Sequence, residues 1–160
     1  MPLSQAPGEG QLVQVGAYIM PDGLFGLEYA AGGKKSYRFF VLEADRATMP
    51  IVRSSLGQTS YLKKMLAYRE IIARQIHKLH FGIPNLLVLT VTTNERHTEQ
   101  IMKAFGEMGG GSAAFLFKTI NTLSSLDMAP SPMPALLTEP WLRVRFSPLC
   151  IAAGSVEGVK

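Results

Sequence analysis

Residues 85–92 read NLLVLTVT, a nearly continuous apolar run that follows Pro84 and precedes a polar segment. Strands that are buried on both faces of a parallel or mixed sheet have this composition, whereas strands with one wet face alternate apolar and polar residues. The run therefore predicts a central strand. A central strand needs a neighbour on each side and helices over its faces, and the flanking segments are interpreted on that basis.

A β-hairpin is predicted upstream of the central strand. Its first strand follows Pro21-Asp22, its turn is Gly32-Gly33, and its second strand, residues 37–42, runs into Glu43-Ala44-Asp45. Glycine pairs are common in the tight turns that join antiparallel strands. The hairpin therefore places acidic residues at the end where its first strand begins and its second strand ends.

The register of this hairpin decides which face of the sheet Asp22 occupies. With Tyr29 opposite Tyr37, Asp22 faces Ala44, and an unbroken ladder turns Asp22 away from the carboxylates of the second strand. A one-residue bulge at a glycine of the first strand would return Asp22 to their side. We expect such a bulge if the three carboxylates act together.

The segment 58–80 is predicted as a helix. Its apolar residues, from Tyr61 to Leu79, recur at spacings of three and four and form one stripe. His77 and His80 lack a partner at a useful spacing, so we expect both at the surface. Gly82 lies just past the end of the helix, where glycine commonly terminates helices.

The remaining segments complete an α/β pattern. Residues 95–108 are predicted as a second helix and residues 113–119 as a further strand. The order strand, strand, helix, strand, helix, strand is typical of α/β domains. A right-handed crossover would set the central strand parallel to the second strand of the hairpin. The sequence therefore predicts an α/β domain with a mixed sheet.

Three carboxylates, those of Asp22, Glu43 and Asp45, are predicted at one end of the hairpin. Glu43 and Asp45 are two apart on a strand, so both point to one face, about 7 Å apart. Gathered carboxylates repel unless a cation offsets the repulsion, and their hard oxygens suit Mg²⁺ or Mn²⁺. In the alternative interpretation, Asp22 is a turn residue and the other two carboxylates simply leave the sheet into solvent.

The formal net charge of +4 is concentrated in residues 53–80, which carry six basic side chains and one acidic side chain. A concentrated basic stripe is the electrostatic footprint expected for a nucleic-acid partner, although a solvated helix face gives the same pattern. The candidate DNA-binding side chains are Arg53, Lys63, Arg74 and Lys78.

Three motifs resemble the replication-relaxation family, bacterial proteins often linked to plasmids and mobile elements. Residues 21–27 read PDGLFGL, residues 39–48 read FFVLEADRAT, and residues 64–68 read KMLAY. The likeness covers about residues 18–93, and its motifs occur in the right order. The family in turn resembles the PD-(D/E)xK nucleases, so the resemblance implies a restriction-endonuclease-like mixed sheet, with a β-hairpin followed by helix, strand, helix and strand.

The resemblance also implies residue roles in catalysis. Asp22 would be the metal-binding aspartate and Glu43 the second metal ligand, with Asp45 assisting. Asp45 stands where such nucleases carry the catalytic lysine, which stabilises the charge developing on the phosphate. Lys64 lies on the flank of the helical stripe and can bend over the sheet edge, whereas Lys63 lies opposite the stripe. We therefore predict Lys64 as the catalytic lysine.

The composition fits one cytoplasmic domain. The chain has 160 residues, 47% of them hydrophobic, and its one cysteine, Cys150, is compatible with a reducing compartment. Its apolar runs are too short to span a membrane. We expect a nuclease-like domain at residues 15–127, a Pro-rich linker with an edge strand at 128–146, and disorder at 1–14 and 147–160.

The sequence as a whole predicts a DNA-binding, nuclease-like domain of a plasmid or mobile-element replication or mobilisation protein. In this interpretation it is a metal-dependent DNA endonuclease that uses Mg²⁺ or Mn²⁺ to hydrolyse phosphodiesters. Two alternatives stay open. One is a catalytically inactive DNA-binding module that recruits a replication or mobilisation partner. The other is a protein-interaction domain whose carboxylates are merely exposed.

Overall fold

The computed structural model of the protein describes residues 19–46, 61–109, 111–121 and 131–153. The strands are β1 (Gly23–Ala31), β2 (Lys34–Asp45), β3 (Leu87–Thr92), β4 (Phe115–Thr119), β5 (Pro140–Arg143) and β6 (Phe146–Cys150). The helices are α1 (Tyr61–Ala73), α2 (Ile76–Phe81), α3 (Glu95–Glu107) and α4 (Ala135–Thr138).

The described strands form one six-stranded mixed sheet in the order β1-β2-β3-β4-β5-β6. β1 is antiparallel to β2, while β2, β3 and β4 are parallel neighbours. β5 and β6 extend the sheet in antiparallel pairs. The predicted α/β class is confirmed, as is the parallel pairing of the central strand with the second strand of the hairpin. The carboxyl ends of β2, β3 and β4 therefore meet at one edge of the sheet.

The turn of the hairpin corrects the predicted register. Gly32-Gly33 has positive φ at both residues, 57° and 75°, as a two-residue type I′ turn requires. Such a turn sets Tyr29 opposite Ser36, one residue away from the predicted partner Tyr37. The described ladder then runs without a bulge to the first residue of β1, which directly follows Asp22. The predicted bulge is therefore not needed.

One face of the sheet is covered by α1 and α3. The buried residues of this core include Val41, Tyr61, Met65, Tyr68, Val88, Ile101, Phe105, Phe115 and Phe117. In α1 the buried residues follow the helical spacing that the apolar stripe predicts. In α3, Ile101 and Phe105 are completely buried. Both helices thus lie over the parallel strands and reach the sheet edge where those strands end.

The opposite face of the sheet carries a second apolar core, to which α4, β5, β6 and the residue after β6 contribute side chains. Trp141 is buried in this core, together with Leu149 and Ile151, and its indole N–H donates to the Leu136 carbonyl at 2.7 Å. β5 lies where the edge strand is predicted within 128–146, whereas α4 lies in the predicted linker and β6 reaches into the tail predicted to be disordered from residue 147. The rest of that tail, from residue 154, and the predicted disordered segment 1–14 lie outside the described residues. The apolar residues of this segment do not alternate over a long run, as they would in a regular strand, but Trp141, Leu149 and Ile151 pack into the core on the second face of the sheet.

The predicted helix at 58–80 is interrupted within its described part. Gln75 adopts a left-handed conformation with φ 55°, and it separates α1 from α2. Because of the break, the residues of α2 that face the protein interior are not those that a continuous helix would turn inward. His77 is 4% exposed and Leu79 is 79% exposed, so the prediction of His77 at the surface and of Leu79 in the stripe is wrong. His80 is exposed as predicted.

Candidate functional site

A polar cluster lies at the carboxyl ends of β2, β3 and β4, beneath α1 and α3. Its members are Asp22, Glu43, Asp45, Tyr61, Lys64, Tyr68, Thr90, Thr92, His97, Thr98 and Thr119. The parallel register sets Glu43 beside Thr90 and Asp45 beside Thr92, so these residues share the face that the helices cover. In open α/β sheets, ligands bind outside the carboxyl ends of the strands.

Glu43 is the buried centre of the polar cluster, with 2% of its surface exposed. One carboxylate oxygen accepts a hydrogen bond from the Lys64 ammonium, and the other accepts from the Tyr68 hydroxyl at 2.5 Å. A buried carboxylate needs such partners because an unpaired charge is very costly in a low-dielectric interior. The Lys64 side chain is 22% exposed, so the cation that pairs with the buried Glu43 carboxylate is itself partly accessible from the surface.

The position of Lys64 agrees with the geometric part of the sequence prediction. A residue on the flank of the α1 stripe was expected to reach over the sheet edge, and Lys64 does contact Glu43. Lys63 is half-buried, so its surroundings differ from the solvent position that the helical wheel predicts. The catalytic role of Lys64 stays a prediction, because a contact with a carboxylate also has a purely structural use.

Asp45 is held from the other side of the cluster. The His97 ring donates from Nε2 to the Asp45 carboxylate at 2.8 Å, and both side chains are mostly buried. His97 lies in the first turn of α3, where the Asn94 side chain accepts from the His97 backbone N–H. Sequence reasoning missed His97. The sequence does contain a signal that could have found His97. Asn94 caps a helix that begins directly after the buried strand β3, so the first turn of that helix, which includes His97, must lie beside the strand ends.

Asp22 joins the cluster without a bulge. Its carboxylate accepts from the Ala44 backbone N–H at 2.7 Å, and its own N–H donates to the Leu42 carbonyl at 3.0 Å. Extending the register of β1 by one residue sets Asp22 against Glu43, and directly opposed residues share a face. Asp22 is therefore anchored at the end of β2 that carries the other two carboxylates.

The two tyrosines of α1 are strongly influenced by these carboxylates. Burial raises the pKa of Tyr61 well above its usual range, its hydrogen bond to Thr90 lowers it, and the charges of the three carboxylates raise it further. Burial also raises the pKa of Tyr68, and its hydrogen bond to Glu43 raises this pKa further. Both hydroxyls therefore remain neutral hydrogen-bond donors at physiological pH.

Threonine hydroxyls connect α3 to the strands beneath it. The Thr98 hydroxyl lies 2.5 Å from that of Thr92 on β3 and 2.7 Å from that of Thr119 on β4. It also donates to the Asn94 carbonyl at 3.2 Å. These bonds satisfy buried hydroxyls and fix the first turn of α3 against the ends of two strands.

The donor chemistry of the cluster fits a hard divalent cation, because its acidic members supply only carboxylate oxygens. In the described part of the chain, however, no three His, Cys, Asp or Glu side chains are grouped to hold a metal ion. Both oxygens of Glu43 are used by Lys64 and Tyr68, so an ion binding at Glu43 must compete with the Lys64 ammonium.

The predicted DNA-binding residues occupy different surroundings. Arg53 lies outside the described residues. Arg74 is exposed and pairs with Glu70 at 3.1 Å, and Lys78 is exposed on α2. Exposed ion pairs of this kind contribute little to stability and are screened by salt. Both cations therefore lie at the surface, and their role in DNA binding stays a prediction.

Comparisons of the chain with protein families, with curated proteins and with solved structures find no match. In the described residues, no helix has both the length and the apolar character needed to cross a membrane. The fold and the site define an α/β protein with a mixed sheet, in which the buried carboxylates of Glu43 and Asp45 and the exposed carboxylate of Asp22 lie at the carboxyl ends of the parallel strands.

Proposed function

We propose that this protein is a DNA-binding, nuclease-like domain of a plasmid or mobile-element replication or mobilisation protein, and that its polar cluster receives a phosphodiester. The contact between Lys64 of α1 and Glu43 of β2 carries the proposal. It brings together Glu43, which the motif likeness assigns to the metal site, and Lys64, which its place on the helix flank predicts for the same site, from positions 21 residues apart. The order of hairpin, helices and parallel strands supports a restriction-endonuclease-like arrangement.

Side chains of the polar cluster have separate roles in the proposed hydrolysis. The Lys64 ammonium contacts the phosphate and stabilises the negative charge that develops on it. Tyr68 holds Glu43 in place as a neutral donor. Asp22, Glu43 and Asp45 would hold Mg²⁺ or Mn²⁺, which supplies an activated water and neutralises the phosphodiester. Hydrolysis then adds water across one P–O bond and leaves a phosphate monoester and a free hydroxyl.

Affinity for DNA comes from the basic segment that includes α1 and α2. The exposed Arg74 and Lys78 are suited to contacts with phosphates, which fix a protein on DNA without reading its sequence. Cations that neutralise phosphates release counterions, so the affinity should fall steeply with added salt. A DNA partner also fits a reducing cytoplasm, with which the single cysteine is compatible.

A second candidate is a catalytically inactive DNA-binding module that recruits a replication or mobilisation partner. The specific observation in its favour is that protein groups already engage the carboxylates: Lys64 and Tyr68 bind Glu43, and His97 binds Asp45. Asp45 also stands where the nucleases that the motifs resemble carry lysine. A site fixed in this way would be structural, and the protein would bind DNA without cutting it.

Glu43→Gln separates the two candidates. We expect the wild-type protein to nick supercoiled plasmid with Mn²⁺, and the variant to be slower by about 100-fold or more, because it loses a metal ligand and charge at the reacting centre. Its DNA affinity at low salt should stay within a few-fold. The matched control is Glu107→Gln, at the exposed end of α3, which should nick like the wild type.

Two results would contradict the nuclease proposal. Wild-type protein that binds DNA but cuts neither plasmid, linear nor single-stranded DNA with Mg²⁺ or Mn²⁺ would establish the inactive DNA-binding module. Wild-type protein that does not bind DNA at low salt would leave only a protein-interaction domain.

A further inference from the structure

The short helix α2 presents a basic and apolar surface that the polar cluster does not use. Phe81 is 67% exposed, and Lys78, three residues before it, is exposed as well. Residues three apart are neighbours on a helix, so the ring and the ammonium belong to one side of α2. Residues 71–94 contain no acidic side chain. An exposed aromatic ring therefore accompanies a cation, with no carboxylate on its own segment.

A second exposed aromatic residue, Tyr37 of β2, lies on the side of the sheet that the helices cover. Tyr37 is four residues before Val41, which packs in the core beneath α1, so both side chains point to that face. Tyr37 is 47% exposed, and its hydroxyl donates to Glu28 at 2.7 Å. The Asn85 amide donates to the Tyr37 carbonyl at 2.8 Å. Phe81 precedes Asn85 by only four positions, at most about 14 Å of chain, so both aromatic residues flank the connection between α2 and β3.

We call Tyr37, Lys78 and Phe81 the basic aromatic surface. It lies at the amino-terminal end of β3, whereas the polar cluster lies at the carboxyl ends of the parallel strands, so the two are separate. The Glu28 carboxylate that accepts from Tyr37 also pairs with Lys35 at 2.9 Å, which balances its charge. None of the ion pairs among the described residues involves Lys78. The charge of this surface therefore favours an anionic partner.

The two aromatic rings indicate which form of DNA this surface suits. In a duplex the faces of the bases are stacked on one another, so a protein ring finds no base face free. Proteins that bind single strands place cations along the backbone and stack successive bases on aromatic side chains. The charge alone would suit a duplex equally well, and the exposed rings favour a single strand.

We infer that the basic aromatic surface binds single-stranded DNA, with bases stacked on Phe81 and Tyr37 and a phosphate held by Lys78. The inference rests on the proposed function, and it names the form of DNA that the protein takes. Binding at this surface needs neither cleavage nor an intact polar cluster, so it can be measured by itself.

Three substitutions separate the ring from the charge. Phe81→Leu keeps an apolar side chain and removes the ring, Tyr37→Phe keeps the ring and removes the hydroxyl, and Lys78→Gln removes the charge. The matched control is Phe146→Leu on β6, at the other edge of the sheet. Phe146 is 43% exposed and has the Arg143 guanidinium 5.6 Å from its ring centre, so it is also an exposed ring beside a cation.

The measurement is fluorescence anisotropy of a labelled oligonucleotide of about 20 nucleotides, longer than the sites of common single-strand-binding folds, and of its duplex. The full chain is used at low salt in EDTA. We expect Phe81→Leu to weaken binding of the single strand about fivefold or more, because a stacked base is lost, and to leave duplex binding unchanged. Lys78→Gln should weaken both forms by a similar factor, since both present phosphates. Tyr37→Phe and Phe146→Leu should bind like the wild type.

The outcomes distinguish the inference from the proposed function. If Phe81→Leu binds the single strand like the wild type, or weakens both forms equally, the stacking role is overturned while DNA binding stands. Wild-type protein that binds only the duplex overturns the inference in the same way. Wild-type protein that binds neither form overturns the DNA-binding function itself, and binding to phosphatidylserine vesicles instead would make the surface a membrane contact.

Discussion

At the scale of single residues, the sequence predicted Lys64 but not His97. Helical periodicity alone places Lys64 on the flank of α1, and its contact with Glu43 then requires only that α1 packs over β2. The partner of His97 is 52 residues upstream, and the contact exists only because β2 and β3 are neighbours. Asp22 was placed at the correct end of the hairpin, but its predicted strand partner was wrong by one residue. The predicted pairing leaves three residues in the turn, whereas the structure has only Gly32 and Gly33 there.

Tyr61 provides a test of how deeply this cluster is buried. Its pKa is raised in the folded protein, chiefly by burial. Above about pH 10 the unfolded chain loses a tyrosine proton that the folded protein keeps, so the free energy of unfolding should fall as the pH rises. In Tyr61→Phe this contribution is absent, and the fall should be less steep.

Urea unfolding at several values between about pH 8 and pH 11 checks this expectation. The stability of wild type and variant should differ in slope, beyond any constant offset from the lost bond to Thr90. Equal slopes would mean that the Tyr61 hydroxyl is reached by water, and that the carboxylates around it lie in a wet cleft.

At the scale of elements, strands and helices with a regular pattern were predicted well, and their interruptions were not. The stripe from Tyr61 onward continues in sequence past residue 75, so nothing in its periodicity indicates a break. The turn between α1 and α2 contains neither glycine nor proline, the usual signals. β6 was missed for a related reason, because it is short and contains Pro148.

The left-handed Gln75 predicts a stabilising substitution. For a residue with a side chain this conformation costs about 1–2 kcal/mol, whereas glycine adopts it without that cost. Because glycine also loses more entropy on folding, Gln75→Gly should raise the free energy of unfolding by about 0.5–1 kcal/mol. The control Ala73→Gly, in the last residue of α1, should lower it by a similar amount.

Chemical denaturation of both variants is the measurement. If Gln75→Gly destabilised the protein as much as Ala73→Gly, the segment would be one continuous helix. In that case His77 would return to the surface position that the sequence predicts.

At the scale of the whole molecule, the order of elements was enough to predict an α/β class with a mixed sheet. It was not enough to predict the second apolar core, because Trp141, Leu149 and Ile151 come from a segment rich in proline and without a long pattern. The molecule combines basic side chains on α1 and α2 with buried carboxylates at the carboxyl ends of the parallel strands. The nuclease-like proposal depends on the contact that joins these two parts, between Lys64 and Glu43.

The most direct test of this account is Mn²⁺-dependent nicking of supercoiled DNA by Lys64→Ala, compared with Lys103→Ala, in which the altered lysine is exposed on α3. Protein is kept in excess over DNA, and DNA affinity and thermal unfolding are measured in parallel. We predict that Lys64→Ala loses about 100-fold or more in rate, with DNA affinity within a few-fold, because it lacks a group that stabilises transition-state charge. Lys103→Ala should match the wild type. Equal nicking by wild type and Lys64→Ala would contradict the assignment of the site.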